Sequence, residues 1–200
     1  TGFKFIADTI LNNPDKTFIG GGEESYGFLI GDFVRDKDAN SACYMIAEIT
    51  AWAAEQNKTL YQILKEIYKE FDFYKEGLLS LTKKGISGIE EIKNLMHKFR
   101  TTPPTQILGS NIVEIKDYKS SVSKNVKSGV ETTIDLPKSD VLQFFTEDGT
   151  KISIRPSGTE PKIKFYFGIK AKLNNIADFE VVNNELNERI NKLIKLFSEE

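Results

Sequence analysis

The stretch Gly20-Gly21-Gly22-Glu23-Glu24-Ser25-Tyr26-Gly27 sets two carboxylates and a hydroxyl on a glycine-rich segment, directly after the apolar pair Phe18-Ile19. Glycine reaches backbone conformations that other residues resist and lets a ligand approach the main chain closely. A carboxylate beside a hydroxyl can accept hydrogen bonds from several neighbouring alcohols, which is the chemistry a sugar ring offers. A polar turn uses the same vocabulary, so this stretch alone leaves both readings open. A second group lies in RPSGTEPKIKFY, residues 155 to 166. Arg155, the hydroxyls of Ser157 and Thr159, and the backbone N–H groups around Gly158 can converge on one anion. A planar guanidinium supplies paired donors to phosphate, and successive N–H groups in a glycine turn form an anion-binding nest. Lys164, alternating with Ile163 and Phe165, adds charge from the segment that follows. The GxxxxGK[ST] loop of nucleotide-binding proteins is absent, and Pro-Ser-Gly-Thr is also ordinary turn vocabulary.

Composition bounds what these groups can serve. The chain has 200 residues, of which 40% are hydrophobic, enough for one large domain or two modest ones. Its 27 basic and 29 acidic side chains leave a net charge of -2, so no global field draws nucleic acid or an anionic membrane, and any anion site must be local. The single cysteine, Cys43, cannot form an internal disulfide and sits in a helical pattern, which predicts a buried structural thiol. No run of roughly 18 apolar residues and no basic-then-apolar leader occurs. The expectation is a cytoplasmic protein with neither a nucleic-acid nor a membrane partner. The chain opens on Thr1-Gly2-Phe3-Lys4 without methionine and closes on an amphipathic pattern, which leads us to expect the C-terminal piece of something longer.

The elements that must position these residues follow from periodicity. Residues 3 to 12 give a helix stopped by Asn12-Asn13-Pro14, and Lys16 to Gly20 reads as a strand entering the glycine loop. A polar connection, FLIGDFVRDKDA, precedes a helix on which Met45, Ile46, Ile49, Trp52 and Ala53 recur. Thr59 and Gln62 have capping-box spacing and open a second helix, with Leu60, Ile63, Leu64, Ile67 and Phe71 as its buried face. Residues 1–73 are thus mixed α/β with too few strands for a free-standing sheet. Residues 74–200 form a second domain. A strand near Leu78 to Thr82 precedes a helix carrying Ile89, Ile92, Leu95, Met96 and Phe99, which ends before Pro103-Pro104. Strands follow at Ile112 to Lys116, Val141 to Thr146, Lys151 to Arg155 and Ile163 to Ile169, the middle two joined by Glu147-Asp148-Gly149-Thr150, a hairpin signal. A final helix carries Phe179, Val182, Leu186, Ile190, Leu193 and Phe197, and the lysine- and serine-rich stretch 117 to 129 reads as a solvated loop. This order predicts an α+β domain with an antiparallel sheet and its helices on one face.

GEESYG and RPSGTEPKIKFY, in this order and this far apart, resemble the α-D-phosphohexomutase superfamily, in particular bacterial phosphoglucomutase/phosphomannomutase. The resemblance spans essentially the whole chain and implies the C-terminal part of the family's third domain followed by its fourth, whose fold is like that of the TATA-box-binding protein. It implies that Glu23 and Ser25 contact sugar hydroxyls, Glu24 standing at a position that varies between subfamilies. It places Arg155, Ser157, Gly158, Thr159 and Lys164 on a phosphate. Thr1-Gly2-Phe3-Lys4 is similar to a substrate-facing segment of the third domain. In DFVRDKDA, Arg35 and Lys37 match an RxKD segment, Arg35 toward the substrate and Lys37 near the reacting phosphate. The implied activity is that of an intramolecular phosphotransferase: a phosphoserine passes its phosphoryl group to a hexose phosphate, and the other phosphate of the bisphosphate returns to the serine. The implied cofactors are Mg²⁺ and hexose 1,6-bisphosphate as activator, and the implied partners are the hexose phosphate and the remaining domains of the same polypeptide. The family's phosphoserine loop and D-x-D-x-D metal loop do not occur in this chain, so it carries no metal ligands and is expected to be inactive by itself. His97, in Leu95-Met96-His97-Lys98-Phe99, reads as structural or solvent-facing. A free-standing, non-catalytic sugar-phosphate-binding module is the competing reading.

Overall fold

Lys4–Leu11 forms helix α1, and its Ile6 and Ile10 join Phe3, Phe18, Leu29 and Val34 in a small apolar cluster. The computed structural model describes residues 2–23, 26–83, 85–158 and 160–199, Ile86 by its backbone alone. The chain divides into two compact units, Thr1–Lys65 and Glu66–Glu200.

In the first unit the glycines are themselves the strand. β1 (Gly20–Gly22) pairs antiparallel with β2 (Phe28–Ile30), whose Leu29 is fully buried. Residues 16 to 19, read from sequence as a strand, pair with nothing in a sheet, because a strand needs a partner edge and the partner lies opposite the glycines. Ala39–Glu55 is α2, capped by Asp38, whose carboxylate accepts from the Asn40 and Ser41 backbone N–H groups. Leu60–Phe71 is α3. Its capping box is formed as its spacing predicts: Thr59 N–H donates to Gln62 Oε1 at 2.7 Å and Gln62 N–H to Thr59 Oγ1 at 3.2 Å. The expected burial is not found. No residue of α3 is buried, and Phe71 is 62% exposed. Spacing decides which side chains share a face of a helix but not whether anything covers that face. For the same reason Cys43, expected inside, is exposed on α2.

The second unit is an antiparallel sheet with helices against one side. Its strands are β3 (Phe73–Thr82), β4 (Gln106–Ile107), β5 (Ser110–Asp117), β6 (Val122–Asn125), β7 (Glu131–Thr133), β8 (Leu142–Thr146), β9 (Lys151–Pro156) and β10 (Lys162–Ala171). They run in the order β3-β10-β9-β8-β5-β6-β7, with β4 paired to β5. Helices α4 (Gly85–Thr101) and α5 (Phe179–Ser198) complete the unit, a short 3₁₀ turn at Ile176–Asp178 leading into α5. The central strands β8, β9 and β10 alternate between buried and more exposed residues, as a half-covered sheet requires. On β10, Ile163, Phe165, Phe167 and Ile169 are buried and pack with Ile92, Met96 and Phe99 of α4 and Leu186, Leu193 and Phe197 of α5. The residues between them, Lys162, Lys164, Tyr166 and Lys170, are half-buried and turn to the opposite, helix-free face. Stretch 117 to 129, expected as a loop, contains β6: Ser123 and Lys124 stand opposite Lys116 and Ile115 of β5. Polar composition hides a strand whose one face looks toward water.

Candidate functional site

Two clusters hold the residues singled out by sequence, one in each unit. In the first, the β1–β2 hairpin is closed by the Glu23 N–H donating to the Gly27 carbonyl at 2.9 Å. Tyr26, at the tip, adopts a left-handed backbone with φ 65° and is fully exposed. Gly27 is buried, and a Cβ there would lie 2.7 Å from Lys37 Cδ and 2.8 Å from Glu23 Oε1. Glu23 and Lys37 therefore both crowd the Gly27 backbone, a juxtaposition that only a residue without a side chain permits. The loop carrying Lys37 is anchored to the hairpin by the Asp38 N–H, which donates to the Phe28 carbonyl at 2.9 Å.

The ammonium of Lys37 donates to Asp36 Oδ1 at 2.8 Å and lies 5.4 Å from the centroid of the Phe3 ring. The Asp36 bond, helped by the charges of Asp36 and Glu23, holds the Lys37 ammonium above its ordinary pKa. Asp36 is held below its ordinary value by the same side-chain bond and by the Lys37 backbone N–H. Asp38 is likewise lowered by hydrogen bonds from Ser41 and Asn40. Arg35 is turned to its own loop, Nε donating to the Asp32 carbonyl at 3.3 Å. Gly2 has φ +115° and open space at its Cα, immediately before the buried Phe3. Thr1, Glu24 and Ser25 lie outside the described residues.

The second cluster is the turn between β9 and β10. Register sets Arg155 directly opposite Lys164 on the open face of the sheet. Like charges in directly opposed cross-strand positions repel. Among the described residues neither cation has a carboxylate in ion-pair range. The turn itself is closed by the Ser157 N–H donating to the Lys162 carbonyl at 2.7 Å and tied to the end of β3 by the Lys83 N–H donating to the Pro161 carbonyl at 2.9 Å. Arg155, Pro156, Ser157, Gly158, Glu160, Lys162 and Lys164 line a cleft of about 300 Å³. Gly158 lies outside the left-handed region, and a Cβ there would touch no atom within 4 Å. Nothing inside the chain therefore demands glycine at that position; what it provides is an uncovered backbone facing the cleft. Thr159 lies outside the described residues.

The structure thus brings Glu23 and Lys37 together in one unit and Arg155, Ser157, Gly158 and Lys164 together in the other. Sequence reading did not single out Gly27, Phe3 or Asp36 at the first cluster, nor Lys162 and Glu160, an ion pair at 3.3 Å, at the second. Lys162 was within reach, since period-two alternation places it on the face of Lys164. Gly27 was not, because its role depends on two side chains that arrive from elsewhere. Among the described residues no group of three or more His, Cys, Asp or Glu side chains converges so as to hold a metal ion. No described helix is long and apolar enough to cross a membrane.

Comparison with known proteins matches two stretches of the chain, one containing each cluster. Residues 1–71 match the family model "Phosphoglucomutase/phosphomannomutase, alpha/beta/alpha domain III". Residues 82–182 match "Phosphoglucomutase/phosphomannomutase, C-terminal domain". A phosphoglucomutase of Staphylococcus haemolyticus is 37% identical over 186 residues, covering 92% of this chain and 33% of that protein. One from Staphylococcus aureus is 38% identical over 191 residues, covering 95% of this chain and 34% of its own length. The chain therefore spans about a third of the length of the curated relatives it matches. Among solved structures, the open form of the exocytosis-sensitive phosphoprotein pp63/parafusin, a phosphoglucomutase from Paramecium, matches with a TM-score of 0.55 at 16% identity. It covers 96% of this chain and 32% of that protein, a likeness of fold. With its greater part matched by the C-terminal-domain model, this chain belongs to the phosphoglucomutase/phosphomannomutase family.

Proposed function

We propose that this chain supplies the sugar-binding and phosphate-binding loops of a phosphohexomutase that interconverts hexose 1-phosphate and hexose 6-phosphate through a phosphoserine and a bisphosphate intermediate. Glu23 and Ser25 accept from sugar hydroxyls, with Thr1, Gly2 and Arg35 facing the same substrate, and Lys37 stands by the reacting phosphate. Arg155, Ser157, Gly158, Thr159 and Lys164 hold the phosphate that is not being transferred. Because the two phosphates exchange roles during turnover, the cradle must bind a plain phosphate in either orientation of the sugar. A guanidinium, an ammonium and backbone N–H groups suit that task, since they read charge and not the rest of the ligand. The phosphoserine and any Mg²⁺ belong to other parts of the whole protein, and the 200-residue chain by itself is expected to bind without turning over.

The observation that carries this reading is the cross-strand pair Arg155 and Lys164, two cations held side by side over a cleft without an ionic partner among the described residues. An anion there relieves their repulsion. Titrating inorganic phosphate into the chain should shift amide NMR signals of residues 155 to 160 selectively. Charge-assisted bonds contribute roughly 1.5 to 3 kcal/mol each, so Arg155→Ala should abolish the shifts while the fold persists. If the perturbed amides lie elsewhere, or the variant binds as the parent does, the turn has no such role.

A further inference from the structure

Three cations line the cleft at the β9–β10 turn, Arg155, Lys162 and Lys164, and with them one carboxylate, that of Glu160. Among the described residues Lys162 alone of the three faces a carboxylate, its Nζ lying 3.3 Å from Glu160 Oε2. Lys162 and Lys164 stand on the same face of β10, about 6.5 Å apart, with Arg155 opposite Lys164. A lysine ammonium rides on a long, flexible stem, so that of Lys162 can reach an anion held by the other two. A phosphate monoester brings close to two negative charges at neutral pH. It must therefore share Lys162 with a carboxylate that belongs to the cleft itself.

The turn fixes where that carboxylate stands without using it. The Glu160 N–H donates to Ser157 Oγ at 3.3 Å, and the Lys162 N–H donates to the Glu160 carbonyl at 2.7 Å, a tight turn around Pro161. The Ser157 and Lys83 N–H groups hold the carbonyls of Lys162 and Pro161, and the proline ring fixes its own φ. All these bonds run through the backbone and the Ser157 hydroxyl. The Glu160 side chain is 62% exposed against 34% for Lys162. The carboxylate can therefore swing into water with the turn intact, while Lys162 stays against the sheet.

We propose that Lys162 is a third cation of the phosphate cradle and that Glu160 is its internal competitor, pairing with Lys162 in the absence of ligand and giving it up when phosphate binds. The cradle then holds phosphate less tightly than three unopposed cations would. A loop that must accept each phosphate of a bisphosphate in turn has to release as well as bind, and a tethered competitor provides the release. The inference rests on the cradle reading above and is tested so that the two fail separately. Inorganic phosphate is titrated into the 200-residue chain by amide NMR for the parent, Arg155→Ala, Glu160→Gln, Lys162→Gln and the double variant Glu160→Gln/Lys162→Gln. Amide signals of β8 and α5 report that each variant keeps its fold.

Glu160→Gln should tighten phosphate binding by roughly two- to fivefold, the worth of one partly exposed ion pair that no longer has to be broken. Lys162→Gln should weaken binding. In the Lys162→Gln background the gain from Glu160→Gln should vanish, because no pair is left to break, and this non-additivity is the mark of competition for one ammonium. Equal tightening in both backgrounds would make Glu160 a plain repelling charge and overturn the proposal, as would parental binding by Lys162→Gln. If Arg155→Ala binds phosphate as the parent does, the cradle and this inference fall together. If Arg155→Ala abolishes binding while Glu160→Gln binds as the parent does, the cradle stands and the competitor is gone.

Discussion

Gly27 is the residue on which the first cluster turns, and its importance is steric. The two groups over it, a carboxylate and an ammonium, are those that the proposed function places against the sugar and the reacting phosphate. Gly27→Ala inserts a methyl group less than 3 Å from atoms of Glu23 and Lys37 and must push both aside. In the whole protein, Glu23→Gln exchanges a charged acceptor for a neutral one and should lower kcat/KM for hexose phosphate by about 2 kcal/mol, roughly thirtyfold. Gly27→Ala should lose at least as much, because it displaces Glu23 and Lys37 together. Steady-state kinetics on both variants checks this, and near-parental activity in Gly27→Ala would show that the crowding at Gly27 does not matter to turnover. At this scale the sequence made the chemistry legible and left the geometry hidden. Glu23, Arg155 and Lys164 stand out by type and spacing. The Asp36 bond to Lys37 and the Phe3 ring beneath it arise from residues that are remarkable neither in type nor in order.

Among the elements, those whose burial is decided locally were the legible ones. The final helix is an example: Phe179, Leu186, Ile190, Leu193 and Phe197, picked by their spacing, are all buried in α5. The β8–β9 hairpin is another, with Gly149 at φ +80° and its N–H donating to the Thr146 carbonyl at 3.0 Å, as the Asp-Gly signal implies. What eluded the reading were β1, made of glycines with no side-chain pattern, β2, which falls in the stretch taken for a polar connection, the two-residue β4, and β6 and β7, short and polar, which exist because β5 offers an edge to β6 and β6 offers one to β7. The β8–β9 turn also ties the sheet to α5. Asp148 Oδ1 accepts from Thr146 Oγ1 at 2.6 Å and from the Thr150 N–H at 3.0 Å, and Oδ2 accepts from Arg189 Nη2 at 2.7 Å. Partial desolvation pushes the Asp148 carboxyl up, but the bonds from Thr146 and Thr150 and the charge of Arg189 outweigh it and hold the pKa below its ordinary value. A carboxyl more acidic in the folded than in the unfolded chain contributes stability above the unfolded value near 3.9, and that stability is lost as pH falls through the folded value. Asp148→Asn should therefore cost stability above about pH 5, by no more than about 1 kcal/mol for so partly solvated a pair. The gap from the parent should narrow below about pH 4. Urea midpoints across this range decide it, and a gap that is constant with pH would remove the ionised carboxylate from the account.

The molecule as a whole is uneven in what holds it. The second unit buries Phe144, Phe165, Phe167, Ile152, Ile154, Ile163 and Leu193 almost completely between its sheet and two helices. Among the described residues of the first unit the buried apolar side chains are Ala53 and the small cluster around Phe3, Ile10 and Leu29, while Ile19, Phe33, Tyr44, Ile46 and Trp52 are half or more exposed. Burial of apolar surface is the main favourable contribution to folding, so two cores of such different size should not unfold together. The chain carries its own reporter: its one tryptophan, Trp52, lies on α2 of the first unit, whereas β3, β9 and β10, the heart of the sheet, lie in the second. In urea, the Trp52 fluorescence transition should come at lower denaturant than loss of the strand signal in circular dichroism. Amide hydrogen exchange should be slowest at Ile152, Ile154, Phe165 and Phe167 and fast throughout α2. Non-coincident transitions are the mark of more than one cooperative unit. Coincidence of the two probes, with α2 as protected as β10, would mean that the first unit draws its stability from the second and that the two cores fold as one.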